Sequence, residues 1–352
     1  MEKQLKTGLS VRGDSIYCPL AFQLDSYFNC LTDCHHCWIR FMNHTWGEEL
    51  RPLDVEHFER QMVNGLRNQN PKSPLARCLF MKKTLRWGNK SDPFQHAERK
   101  YLRAPSIFAL LIKLRWTFVI QTMHTDVMLE YKKEIMEAHQ HRLITIMPII
   151  TPGMDRDWEV LERKRTNPAT ERLRDASKLS RVGIPIGVNG EPFIPGYHKV
   201  SEFADMLKAL KAAGINRYNT YNLHLNPFVA KRLHAIGLDI EQIWWKNQDA
   251  QWRPIQQRLC DLAKRYDIIL GCPDFVNTGP HWKERANTCC GIDVHNPLVD
   301  NTHHWKRMIQ EGKSFQDVLN TWEGVGDKKQ AEMVIKGKTS KFYTLKDSGI
   351  YD

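Results

Sequence analysis

The chain has 352 residues, 41% hydrophobic and 26% charged, a balance typical of soluble globular proteins and long enough to bury a large core without disulfides. Lysine and arginine number 51 against 40 acids, a formal charge of +11 that points to a polyanionic partner. A mean hydropathy of -0.52, and a longest apolar stretch, Ile107 to Ile112, that is broken by Lys113 and Arg115, exclude a membrane-spanning protein. The first residues, Met1 to Lys6, lack the apolar core of a signal peptide, so a cytoplasmic location is expected.

Strand and helix patterns alternate along the first two thirds of the chain. Ile16 to Phe28 reads as a first strand, Val55 to Leu66 as a helix and Cys78 to Trp87 as a second strand. Ala104 to Lys113 is helical, Phe118 to Thr122 extended, Val127 to Ala138 helical, and Leu143 to Ile150 a β-branched strand. A helix over Thr170 to Val182, a strand over Ile184 to Asn189, a helix over Phe203 to Ala213 and a strand over Ile215 to Tyr221 complete the series. Such alternation means βαβ units around a parallel sheet. The expected fold is α/β, a partial TIM-like (β/α)6 barrel over residues 1–225. Active sites in such barrels lie at the C-terminal ends of the strands. Residues 226–352 lose the alternation and read as a mainly helical and loop-rich C-terminal extension that shapes the substrate site. Helical patterns there cover Pro227 to Ile236, Pro254 to Tyr266, His304 to Gln310 and Phe315 to Trp322.

Nine cysteines, an odd number, without a secretion signal argue against a disulfide scaffold. Three are packed into Cys30-Leu-Thr-Asp-Cys34-His-His-Cys37, just after the first strand. Three thiolates on one short loop suit three irons of a cubane cluster and leave the fourth without a protein ligand. A zinc site completed by His35 or His36 is the competing reading, although the chain has no second C-x2-C knuckle. Cys289 and Cys290 are adjacent; with Cys260 and Cys272 they offer an auxiliary cluster, an active-site thiol or buried packing. Eleven basic residues against two acids lie between Lys72 and Arg115, with Trp87, Phe94, Tyr101 and Trp116 among or beside them. Charge with aromatic faces is the chemistry of a phosphate track with stacking platforms, so Lys82, Lys83, Arg86 and Trp87 are candidate nucleic-acid contacts.

The C-x3-C-x2-C triplet after a first strand resembles the cluster motif of the radical S-adenosylmethionine superfamily. Over residues 15–225 the chain looks like its spore photoproduct lyase-like branch. The carrying segments are Gly88-Asn-Lys-Ser-Asp-Pro-Phe-Gln95, Leu161-Glu-Arg163, Glu171-Arg-Leu173, Gly183-Ile-Pro185 and Ile186-Gly-Val-Asn-Gly-Glu-Pro-Phe-Ile-Pro-Gly196. The resemblance implies a [4Fe-4S] cluster on Cys30, Cys34 and Cys37, with S-adenosyl-L-methionine at the open iron. Reductive cleavage then gives methionine and a 5′-deoxyadenosyl radical, with flavodoxin or ferredoxin as reductant. It further implies cofactor contacts from Asn89, Lys90, Ser91 and Asp92 after strand two, and from Thr145, Arg172 and Asn189.

Two departures qualify the match. Photoproduct repair uses a hydrogen-donating cysteine where this chain has Asn89, and Gln121 stands near the branch's strand-three lysine. The expected function is therefore a radical modification or isomerase-like rearrangement of a nucleobase substituent. A thymine derivative in DNA is favoured, as in bacteriophage hypermodification, with Cys289 and Cys290 as candidate catalytic thiols. A radical enzyme for a peptide or small metabolite, and a non-enzymatic zinc or nucleic-acid-binding protein, are the alternatives.

Overall fold

The computed structural model describes residues 8–11, 20, 22–39, 49–223, 225–243, 248–271 and 290–295. Among these residues ten strands are β1 (Leu9–Val11), β2 (Phe22–Leu24), β3 (Tyr27–Phe28), β4 (Arg51–Pro52), β5 (Leu85–Trp87), β6 (Phe118–Thr122), β7 (Ile144–Pro148), β8 (Val188–Asn189), β9 (Arg217–Asn219) and β10 (Ile269–Gly271). Strands β2, β5, β6 and β7 are parallel neighbours in that order, with β1 antiparallel on the β2 edge. A second parallel sheet runs β8, β9, β10. Bridges from Ile146 to Ile186 and from Ile149 to Asn189 join the two sheets across β7 and β8. Seven parallel strands thus follow one another around a partial barrel, with helices on the outer face.

All six strands expected from the alternation are present, several shorter than their patterns. Asp25 and Ser26 break the first into β2 and β3, which pair in different sheets. Cys78 is not in a strand. Ser73 caps a helix over Pro74–Phe80, its hydroxyl accepting from the Ala76 N–H with proline at the first turn, and that helix holds Cys78. The seventh strand, β10, follows the helix Gln248–Arg265 and pairs with β9, so the sheet continues past residue 225. The expected helices at His304 to Gln310 and Phe315 to Trp322 lie outside the described residues.

Side chains alternate across each strand. Phe22, Leu24, Leu85, Trp87, Phe118, Ile120, Ile144 and Ile146 join the core under the helices. The alternate positions face the lumen: Gln23, Arg86, Val119 and Thr145 are successive partners across β2, β5, β6 and β7.

This alternation corrects the reading of Trp87 as a stacking platform. Its ring is fully buried, with centroids 5.3, 5.0 and 6.3 Å from those of Phe94, Phe108 and Phe118. Its indole N–H donates to Ser26 Oγ. Phe94 and Trp116 are equally buried. The aromatic spacing that resembled a nucleic-acid track is the spacing of a core. Trp87→Ala is therefore expected to cost about 3–5 kcal/mol of stability in urea denaturation, whereas truncating an exposed stacking residue would leave the midpoint in place.

Candidate active site

The cysteine loop leaves β3 at the C-terminal end of the parallel strands. Asn29 and Asp33 take left-handed backbone conformations, φ 71 and 55, which these residue types tolerate. Distant side chains hold the loop. Gln95 grips both flanks of Cys30: its Oε1 accepts from the Leu31 N–H at 2.7 Å and its Nε2 donates to the Asn29 carbonyl at 3.2 Å. The His35 N–H donates to the Leu161 carbonyl at 2.8 Å. Asp33 collects three guanidinium groups: Arg163, Arg165 at 3.6 Å and Arg232 at 2.9 Å. Arg165 and Arg232 also donate to the Leu31 and Asp33 carbonyls.

The thiols share one electrostatic neighbourhood. Burial pushes Cys30 up to about 11, with the Asp92 charge adding to the rise and hydrogen bonds from Thr32 and from the Asp92 backbone opposing it. Cys34 is likewise raised, by burial, by Glu162 and by its sister thiols Cys37 and Cys30, against Arg172. Its Sγ lies 3.7 Å from Met123 Sδ. Thiols raised by burial, with Cys30 and Cys37 opposing the ionisation of Cys34, call for a strongly cationic centre to hold them as thiolates. A single tetrahedral zinc on the three cysteines would need a fourth ligand, for which His35 and His36 are the neighbours in sequence. His35 lies near Arg232, Arg163 and Asp33, and His36 near Asp157 and His198, with burial pushing His36 down to about 4. Three cysteines on one short loop suit a polynuclear cluster, which can take three protein thiolates and leave one metal open.

The loop after β5 is built around Asp25. Its Oδ1 accepts from the backbone N–H groups of Asn89, Lys90 and Ser91 at 3.1, 2.7 and 3.1 Å. Gly88 admits no side chain: its φ is +98 and a Cβ would sit 2.4 Å from the Gln121 carbonyl oxygen. Ser91 Oγ donates to the Tyr27 carbonyl at 2.8 Å. Asp92 accepts from Thr122 Oγ1 and the Phe94 N–H through Oδ1, and from the Met123 N–H through Oδ2. The Ser91 and Asp92 side chains therefore tie the loop to β3 and to the end of β6, while Lys90 is exposed and Asn89 half-buried.

The remaining expected contacts fall at different depths. Arg172 is fully buried and paired with Glu162 at 2.8 Å, and it sits close enough to Cys34 to oppose its rise. Thr145 faces the lumen with its hydroxyl buried and unpartnered. Asn189 Oδ1 accepts from the Glu191 N–H at 3.0 Å. Sequence reasoning missed Asn219, one strand along, whose Nδ2 donates to Glu191 Oε1 at 3.1 Å while its Oδ1 is buried without a partner. It also missed Gln95, Asp25 and Asp33, whose partners are separated from them by 64 to 199 positions and carry no local signal. Gln23, on the lumen face of β2, likewise has both amide atoms buried and unpartnered.

The proposed nucleic-acid residues are not brought together. Lys82 and Lys83 precede β5, at the end of the barrel opposite the cysteines, and Arg86 faces the lumen between Gln23 and Val119. Arg86 points inward because it alternates with the core residues Leu85 and Trp87. Cys290 packs with Leu20, Val119, Met147 and Ile292. Next to it, Gly291 approaches Pro185, shortly before β8, and Arg217, the first residue of β9. Cys260 is buried within the helix Gln248–Arg265. Cys18, Cys272 and Cys289 lie outside the described residues.

Behind the cysteine loop, Asp157 accepts from the Gly153 N–H and pairs with His198 Nε2 at 2.8 Å, while His198 Nδ1 accepts from the Ile194 N–H. Burial alone would raise Asp157, but His198, Thr151 and Arg156 outweigh it and hold the carboxyl well below the usual range. A carboxylate depressed on folding stabilises above its unfolded pKa, near 3.9, and that contribution is lost as pH falls through and below this value. Asp157→Asn is expected to lose about 3–5 kcal/mol near neutral pH. It should also lose stability less steeply than the wild type below about pH 4 in acid denaturation followed by circular dichroism.

No family model matches the chain, and no curated protein matches its sequence. Solved structures do match its fold. A cysteine-to-alanine mutant of spore photoproduct lyase with dinucleoside spore photoproduct superposes with a TM-score of 0.53 at 11% identity, covering 75% of this chain and 78% of its own. A second structure of that cysteine-to-alanine mutant gives 0.53 at 12% identity with the same coverage. A double mutant with bound AdoMet and the dinucleoside gives 0.50 at 10% identity, over 70% of this chain and 74% of its own. At such identities the likeness is one of architecture: the chain has the fold of spore photoproduct lyase.

Proposed function

We propose that this protein is a radical S-adenosylmethionine enzyme that modifies or rearranges a nucleobase substituent in DNA, with a thymine derivative as the substrate class. The observation that carries the reading is the placement of three mutually interacting thiols, Cys30, Cys34 and Cys37, on one braced loop at the C-terminal end of the parallel strands of this fold. Those thiolates would hold a [4Fe-4S] cluster. Bound beside it, S-adenosylmethionine supplies a 5′-deoxyadenosyl radical that takes a hydrogen atom from the substrate. Asp25 and Gly88 shape the turn that presents Asn89 and Lys90 to the cofactor. Asn189 and Asn219 offer amides at neighbouring strand ends, and the buried hydroxyl of Thr145 faces the lumen. Arg172 offsets the negative charge gathered behind Cys34. Enclosure of the site by these loops excludes water and stray hydrogen donors.

Asn89 offers no S–H bond at the position where photoproduct repair needs one, which favours a rearrangement that returns the borrowed hydrogen to the product. Two of the matched structures hold a dinucleoside lesion, which supports DNA as the substrate class here. The cysteine end of the barrel carries exposed or partly exposed Lys90, Arg163, Lys164 and Arg165, a positive rim suited to phosphates. A flavodoxin- or ferredoxin-class protein supplies the electron.

Anaerobic reconstitution should load about four irons per chain, and Cys30→Ala, Cys34→Ala or Cys37→Ala should abolish both the loading and the formation of 5′-deoxyadenosine. A protein that takes up zinc and no iron overturns the enzyme reading. DNA affinity should fall steeply with salt, and Lys90→Ala with Lys164→Ala should flatten the slope of log K against log salt by about one to two. Cofactor cleavage without detectable DNA binding at low salt would shift the substrate to a peptide or small metabolite.

A further inference from the structure

We propose that His96, His124 and Asp126 form a site for one divalent transition-metal ion of the zinc class, separate from the three cysteines. His96 comes from the loop after β5, His124 from the end of the connection after β6, and Asp126 from the first turn of the short helix Thr125–Met128 that follows. One ligand atom of each lies within 4.8 Å of the other two. The imidazole rings meet edge to face with centroids 4.9 Å apart at 69°. His96 Nε2 stands 3.9 Å from Asp126 Oδ2.

The independent observation is the state of the inner ligands. His124 is 1% exposed, yet its Nδ1 has no hydrogen-bond partner, and the buried Oδ1 of Asp126 has none either. A buried polar atom without a partner is costly, and here two such atoms lie in one triad with an imidazole. The other ring nitrogen of His124 is fixed: Nε2 lies 2.8 Å from Thr32 Oγ1. With Thr32 accepting the Nε2 proton, Nδ1 is left as the lone pair, which is the arrangement that orients a metal-ligating histidine. Thr32 in turn hydrogen-bonds Cys30, so a continuous hydrogen-bonded path joins this site to the cysteine loop. Arg99 occupies the Oδ2 side of Asp126 at 3.3 Å and is shared with Glu130 at 2.7 Å, which leaves Oδ1 for a ligand.

Two imidazoles and one carboxylate select the metal. Calcium and magnesium prefer all-oxygen shells, whereas imidazole suits zinc, copper and nickel. Bonds of about 2.0–2.1 Å would bring the donor atoms to roughly 3.4 Å apart. His96, whose side chain is 56% exposed, is free to swing inward to close that distance. Three protein ligands leave one position for water.

The test is anaerobic titration of the full-length protein with cobalt(II), comparing wild type, His96→Ala and Asp126→Asn. One equivalent, beyond any held by the cysteines, should bind with visible ligand-field bands and without adding to the thiolate-to-cobalt charge-transfer band. Either substitution should weaken that binding by about tenfold or more, with the melting temperature in EDTA unchanged for His96→Ala. The proposal is overturned if no cobalt binds, if all bound cobalt shows the charge-transfer band of cysteine ligation, or if His96→Ala binds as tightly as wild type. Because the readout distinguishes nitrogen and oxygen ligands from sulfur, its failure is independent of any failure of the iron–sulfur reading.

Discussion

A single buried carboxylate organises the working end of this molecule. Asp25 sits where β2 ends, fully enclosed, and burial pushes its pKa up while three backbone N–H groups and Lys90 pull it back. An unpaired charge there would be prohibitive; the turn Asn89 to Ser91 supplies the donors that make it tolerable. Once that turn is set, Asp92 follows in place, with its two oxygens bound to Thr122, Phe94 and Met123. Met123 touches Cys34, and the next residue, His124, reaches Thr32 in the cysteine loop. Three strand ends and the thiol loop are thereby positioned from one carboxylate.

Much of the barrel was legible because its signal is local and periodic. The β-branched runs at Phe118 to Thr122 and Leu143 to Ile150 could be read one residue at a time, and both are strands. The Cys78 region was misread because an apolar stretch does not distinguish strand from helix, and the deciding feature was the Ser73-Pro74 cap. β10 escaped notice because three residues after a long helix carry almost no pattern. Trp87 shows the opposite error. Its basic neighbours suggested a surface, but a strand with period two places a lysine or arginine and a tryptophan on opposite faces. The triplet of cysteines was visible as spacing; the groups that hold it were not. Asp33 meets Arg232 across 199 positions and Gln95 meets Leu31 across 64, and such pairings exist only once the chain has closed on itself.

The basic excess also looks different in three dimensions. Charges crowded in sequence between Lys72 and Arg115 divide among the floor of the barrel, its lumen and its rim. Those near the cysteines come from segments far apart in the chain, and part of their charge is neutralised by Asp33 and Glu159. What faces outward at that end is a modest positive field, which would guide a polyanion without gripping it.

The bracing of the cysteine loop has a consequence for the order of assembly. Its main anchors are an amide, an arginine-bound carboxylate and backbone hydrogen bonds, and none of these passes through sulfur. In a zinc finger, metal binding and folding are one event. Here the loop's braces would stand without any metal, so a cluster on these cysteines would meet a receptacle already held by the rest of the fold. Its delivery would then depend on access to the half-buried Cys30 and Cys37, with Cys34, the buried member, the least accessible from outside.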